Sequence, residues 1–157
     1  VGVELSDNLE PTKRGLILHQ CFELMDSRKL NADAIKRFIG HDFTEQELGA
    51  VSKAVVDFDA WLRNRFLPVD IAREVPMLAL NSEGSVVSGI IDLLVETDKG
   101  FWIIDHKTDS SEDLELLFAR YHPQLRAYSD AVGRARPDKK VLGAGINWIK
   151  YGIVMMK

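Results

Sequence analysis

A chain of 157 residues, 46% apolar and 28% charged, has the size and makeup of one ordinary globular domain with its own core. Its 20 basic and 24 acidic residues leave a net charge of −4. That excludes a broadly basic nucleic-acid binder, so any DNA contact is confined to a small patch where bound metal ions can add positive charge. Cys21 is the single cysteine. A disulfide framework and a four-cysteine zinc or iron–sulfur site are thereby excluded, and a reducing, cytoplasmic setting is the default. No apolar run is long enough to span a membrane, and the start carries no signal-peptide pattern. Opening on Val1 rather than Met suggests a fragment of a longer chain, or a processed protein.

Residues 1–13 are polar, contain Pro11 and read as an irregular lead-in. Helical spacing of Leu18, Cys21, Phe22 and Met25 predicts a helix from near Lys13 to about Asp26. A short helix is expected over Ala32 to Ile39, capped by Asn31. Thr44 and Glu47 have capping-box spacing. They open a helix whose stripe is Leu48, Val51, Val55, Phe58 and Leu62 and which stops before Pro68. Three strands follow: Ile71 to Leu80, Val86 to Glu96 and Phe101 to Lys107. The turns Asn81-Ser82-Glu83-Gly84 and Asp98-Lys99-Gly100 separate them, so an antiparallel meander is expected. Pro123 predicts a break: a short helix before Arg120, then a longer one from about Tyr121 with Pro123 in its first turn. Val141 to Met156 reads as one or two closing strands, bent at Gly152. The order points to an α/β (α+β) fold, a central sheet covered by helices, in a single domain over 1–157.

The chemistry lies in the second and third strands. Ser88 to Val95 is almost wholly apolar, yet Asp92 sits inside it; Trp102-Ile103-Ile104-Asp105-His106-Lys107-Thr108 repeats the pattern. A carboxylate in a buried strand is costly unless it is paired or binds a metal. If the strands are neighbours, both aspartates converge, and alternation puts Asp105 and Lys107 on one face. Two carboxylates beside a lysine suit a hard cation such as Mg²⁺ or Mn²⁺ and the hydrolysis of a phosphodiester. Asp-x-Lys alone says little, because Asp138-Lys139-Lys140 matches it in a polar turn. A strand-end ion pair is the structural alternative.

These residues resemble the PD-(D/E)xK nuclease superfamily. More narrowly, they resemble the nuclease domain at the C-terminus of RecB- and AddA-type helicase–nucleases. The resemblance runs from Arg14 to about Val154 through five motifs. Arg14-Gly15-Leu16-Ile17-Leu18-His19 is like the family's Gly-x-x-x-His and implies His19 as a metal ligand. Arg73-Glu74-Val75-Pro76 is like its Glu-x-Pro and implies Glu74 as a secondary ligand or support. Gly89-Ile90-Ile91-Asp92 implies Asp92 as a metal ligand. Ile103 to Thr108 is like Asp-Tyr-Lys-Thr: Asp105 and the His106 carbonyl as ligands, Lys107 as catalytic, and no role for the His106 side chain. Gln124-Leu125-Arg126-Ala127-Tyr128 is like Gln-x-x-x-Tyr, whose spacing puts Gln124 and Tyr128 on one helical face to position Lys107, water or the DNA strand.

The resemblance implies a restriction-endonuclease-like mixed central sheet flanked by helices, and a metal-dependent deoxyribonuclease of DNA repair and recombination. The expected metal is Mg²⁺, with Mn²⁺ possible. The expected substrate is DNA, in single-stranded form, fed by a helicase domain of the same chain or complex in a prokaryotic, nucleoid-associated setting. One cysteine excludes the iron–sulfur branches. The absence of a Gly-x-x-x-x-Gly-Lys-Ser/Thr loop leaves no ATP site in this domain. The competing readings are a catalytically inactive DNA-binding or scaffolding module of the same fold, and a structural domain with a buried ion network.

Overall fold

The computed structural model describes residues 2–3, 5, 10–24, 32–80 and 85–157. The expected cap Asn31, the helix end at Asp26 and the turn Asn81-Ser82-Glu83-Gly84 lie outside the described residues. The order of elements is α1 (Pro11–Glu23), α2 (Ala32–Ile39), α3 (Glu45–Phe66), β1 (Asp70–Leu80), β2 (Val86–Thr97), β3 (Gly100–Lys107), α4 (Leu114–Ala135), β4 (Val141–Trp148) and β5 (Ile153–Met156). The chain groups into two compact units. One comprises Val1–Arg65, His106–Ser110 and Trp148–Ile153; the other comprises Phe66–Asp105, Ser111–Asn147 and Val154–Lys157.

The first unit is helical. Pro11 opens α1 where its missing N–H costs nothing. Ile17, Leu18, Cys21 and Phe22 of α1 pack with Val51, Ala54 and Val55 of α3, with Ile35 of α2 and with Ile149. Burial pushes the Cys21 thiol up to about 12, so this cysteine is a small core apolar group and not a nucleophile. The expected capping box is present: Thr44 N–H and Oγ1–H both donate to Glu47 Oε2, at 2.9 and 2.8 Å, and Glu47 N–H donates to Thr44 Oγ1. It fixes the start of α3.

The second unit carries most of a sheet whose strands lie in the order β1-β2-β3-β4-β5. β1 and β2 pair antiparallel, as do β2 and β3, which is the expected meander. Thr97 pairs with Gly100, and Thr97 Oγ1 both donates to the Gly100 carbonyl and accepts from Lys99 N–H and Gly100 N–H. Phe101 N–H donates to the Lys140 carbonyl and Ile149 N–H to the Lys107 carbonyl, so β3 and β4 rise together and run parallel. Ala144 and Lys157 exchange both backbone bonds, which makes β4 and β5 antiparallel. The sheet is therefore mixed, and its parallel pair needs a crossover, which α4 supplies between β3 and β4.

The expected break at Pro123 is not there. α4 is one helix of 22 residues with Pro123 inside it. Asp113 caps it, accepting from Leu116 N–H at 2.9 Å. The break is avoided because Pro123 and Ala119 are both exposed, so the Ala119 carbonyl that loses its helical donor can turn to water. On the opposite side Leu117, Phe118, Leu125, Tyr128, Ala131 and Val132 are buried in one stripe running through the proline. Packing on both flanks outweighs the local cost. Pro123→Ala is expected to stabilise the chain by about 1–3 kcal/mol, read as a higher urea midpoint at unchanged slope. A lower midpoint would show that the proline fits the helix without strain.

Candidate active site

Arg73 pairs with Leu93 and Val75 with Ile91, so Glu74 of β1 lies opposite Asp92 of β2. Leu93 pairs with Ile104, and one step on in the same register Asp105 of β3 falls opposite Asp92. Glu74, Asp92 and Asp105 thus occupy one row across three strands of the second unit. The strands around them are apolar: Ile91, Leu93, Ile103 and Ile104 are all at most 1% exposed. Asp92 is 8% exposed and Asp105 1%. Like charges placed opposite each other across strands are destabilising, and burial adds to the cost. A sequence keeps such a row for chemistry more readily than for stability.

The backbone at Glu74 has φ of 50°, in the left-handed region where a side chain is strained. That conformation explains why the ladder between β1 and β2 lapses at Glu74 and resumes at Val75. Strain of about 1–3 kcal/mol is typical of binding and catalytic sites. Pro76 follows in the same strand, and β1 is the edge of the sheet, where a missing N–H is tolerated.

Helix α4 brings the Gln-x-x-x-Tyr pair to this row. Gln124 Nε2–H donates to Tyr128 Oη at 2.7 Å and lies 3.4 Å from Asp105 Oδ1. One of the two partners that the structure gives Gln124 is thus a carboxylate of the row. Tyr128 is 6% exposed. Its ring lies over Gly89: a Cβ there would come within 3.0 Å of Tyr128 Cε1 and 3.4 Å of Met77 Cε. The glycine that begins Gly-Ile-Ile-Asp is small so that Tyr128 can approach the strand.

The remaining motif residues lie in the first unit. His19 Nε2 is 3.3 Å from the carbonyl oxygen of His106, and His19 Nδ1 is 3.3 Å from Glu23 Oε1. Both neighbours can only accept when Glu23 is ionised, whereas a neutral imidazole has a single N–H. If Nδ1–H donates to Glu23, the lone pairs of Nε2 and the carbonyl face each other. A second proton on the ring relieves that clash, and so does a cation shared by the carbonyl oxygen and Nε2; a carboxylate on the far nitrogen is the usual support of a metal-bound histidine. The donor set fits a divalent ion. Glu23 was not singled out from sequence, although its spacing of four from His19 on a helix was the available signal. The His106 side chain also has a part: it is 3% exposed and its ring lies 5.1–5.8 Å from those of Phe22, Phe58 and His19. This aromatic packing holds the residue whose carbonyl meets His19.

His19, His106 and Lys107 line an open groove together with Gly15, Thr108 and Asp109. Gly15 matters for the same reason as Gly89. A Cβ there would sit 2.8 Å from Thr108 Oγ1, so the glycine admits the chain leaving β3 against α1. The second Asp-x-Lys is different in kind. Arg136 Nε–H and Nη2–H donate to Asp138 at 3.1 and 3.0 Å, and Lys139 donates to Glu96 and to the Thr97 carbonyl. The hydrogen bond from Lys139 holds the Glu96 carboxyl below its ordinary range. That tripeptide is a turn pinned by ion pairs.

A family model for the PD-(D/E)XK nuclease superfamily matches residues 2–151. The chain belongs to the PD-(D/E)XK nuclease superfamily. The mixed sheet and its helices are those of the restriction-endonuclease-like fold. A large ATP-dependent helicase/nuclease protein of Clostridium botulinum (strain 657 / Type Ba4) is 26% identical over 152 residues, covering 80% of this chain and 12% of that protein. The protein of the same description from Lacticaseibacillus casei (strain BL23) is 27% identical over 175 residues, covering 97% and 14%. The chain spans about an eighth of the length of these curated relatives. The solved structure of SSO0001 covers 99% of this PD-(D/E)XK chain and 68% of its own, at 17% identity and a TM-score of 0.41. Among the described residues, no helix is long and apolar enough to cross a membrane.

Proposed function

We propose that this chain is the nuclease domain of a longer helicase–nuclease and that it hydrolyses phosphodiester bonds of DNA with the help of Mg²⁺ or Mn²⁺. The observation that carries the reading is the row of Glu74, Asp92 and Asp105 inside apolar strands, with Lys107 two residues beyond Asp105 on β3. Asp92 and Asp105 are assigned as metal ligands and Glu74 as their support. His19, backed by Glu23 and facing the His106 carbonyl, is assigned as a further ligand. Such an ion, once bound, lowers the pKa of a water and stabilises charge on the phosphate. Lys107 supplies a fixed positive charge that orients the attacking water and stabilises the oxyanion that forms at phosphorus. Gln124 holds Asp105 in one orientation, and Tyr128 holds Gln124.

The relatives described as ATP-dependent helicase/nucleases are bacterial and far longer than this chain, which favours a motor in the missing part. The proposed substrate is a single strand of DNA delivered by that motor during double-strand-break processing, repair and recombination in a prokaryotic cytoplasm. The test is cleavage of a labelled single-stranded oligonucleotide by the chain in Mg²⁺ or Mn²⁺, with and without chelator. Cutting that stops on chelation and returns with metal is expected, together with a calorimetric heat of Mn²⁺ binding that Asp92→Asn loses. DNA binding without cutting under any divalent ion would favour the inactive module. No heat of metal binding would favour the structural ion network.

A further inference from the structure

The motif roles leave one cavity of the first unit unused. It has a volume near 110 Å³ and is lined by Arg14 and Gly15 of α1, by Thr108 and Ser110 beyond β3, and by Lys150. The buried side chains Val3 and Leu5 also line it. Lys150 Nζ–H donates to Ser110 Oγ at 3.0 Å. We infer that Arg14, Ser110 and Lys150 form a phosphate subsite that takes a backbone phosphate of the DNA strand beyond the one at Lys107. The inference rests on the nuclease reading for the identity of its ligand.

Charge favours an anion here. The chain has 20 basic and 24 acidic residues, yet two basic side chains and two hydroxyls converge on this cavity. No carboxylate is among its described lining residues. Two cations at one point attract an anion, and hydroxyls beside them complete the donor set of an oxyanion. Size narrows the choice. Pockets that hold drug-sized molecules run to about 300–1,000 Å³, so a cavity this small suits a single phosphodiester group and not a nucleoside.

Position ties the cavity to the strand. It shares Pro11, Gly15, Thr108 and Ser110 with the groove that contains His19 and Lys107, so the two adjoin. Lys107 and Ser110 are three residues apart, a reach of at most about 11 Å. That is short enough for phosphates of neighbouring nucleotides on one strand to reach both places. Three basic side chains, Arg14, Lys107 and Lys150, then line one track, with Asp109 as the single carboxylate among the described lining residues.

The test is binding of a labelled oligodeoxythymidylate to the 157-residue chain in chelator, by fluorescence anisotropy, over a series of salt concentrations. Each lost contact to a single strand lowers the slope of log affinity against log salt by about 0.7. Arg14→Gln and Lys150→Gln are each expected to lower it by that amount, and the double variant by about twice as much. Arg14→Lys, which keeps the charge, should restore the parental slope. Lys53→Gln, which removes a lysine paired with Asp57 on α3, should leave it unchanged. A parental slope in the double variant overturns the subsite, and so does failure of the parent to bind the oligonucleotide. A slope lost equally in Arg14→Lys also overturns it, because the effect is then structural. Since binding is read without cleavage, a parent that binds but never cuts defeats the nuclease reading while the slope still decides the subsite. A parent that cuts with an unmoved slope defeats the subsite alone.

Discussion

Lys107→Ala is expected to lower metal-dependent cleavage by at least about 10²–10³-fold, the usual loss when one fixed group that stabilises charge in the transition state is removed. The fold should survive, because Lys107 is half-exposed at the last position of β3. Far-UV circular dichroism and the melting temperature should match the parent. Affinity for Mn²⁺ should persist, since Asp92 and Asp105 are untouched. Lys107→Arg should not rescue the rate, because a planar guanidinium cannot take the position of a compact ammonium. Lys140→Ala makes the control: it breaks the other Asp-x-Lys of the chain, in the turn pinned by Arg136 and Lys139, and should cut like the parent. Parental cleavage by Lys107→Ala would remove this lysine from the mechanism.

Asp105→Asn is expected to abolish cleavage and, in chelator, to raise stability. The amide is nearly the same size and keeps an oxygen to accept from Gln124. It removes one of the charges in a row of carboxylates lying opposite each other, two of them buried. A gain of about 1–2 kcal/mol is expected, which for a domain of this size is roughly 2–8 °C in melting temperature. Adding Mn²⁺ should raise the melting temperature of the parent and leave the variant where it was. The opposite sign in chelator, with a variant less stable than the parent, would mean that the carboxylates belong to an ion network that the fold needs.

The sequence made the meander legible because its turns and its apolar runs agree. Thr97 to Gly100 is a tight turn and forms one, and the strand pairs follow from it. The capping box at Thr44 was equally direct, since it depends only on residues three apart. Asp92 and Asp105 were legible as misplaced charges in apolar strands. Their alignment with Glu74 was not, because register is set by pairing across the sheet. The left-handed turn of Glu74 could not be read either: nothing in its identity demands a positive φ. Pro123 misled because a local rule was applied without the stripe of buried residues on both sides of it. Glu23 was missed for want of a reason to look one turn beyond His19, and the part played by the His106 ring needed its aromatic neighbours to be known.

β1 is the border of the sheet, and the hairpin it forms with β2 bears Leu78, Val86 and Ile90 at 51–76% exposure. An open border with apolar side chains invites a strand from another molecule and, in time, fibrous aggregates. Pro76 withholds a donor from that border, and the reversed backbone of Glu74 interrupts its straight run. The Glu-x-Pro motif, proposed to support the metal site, thus also keeps the border from being copied. A chain relieved of the kink for the sake of stability would gain a hazard in solution along with it.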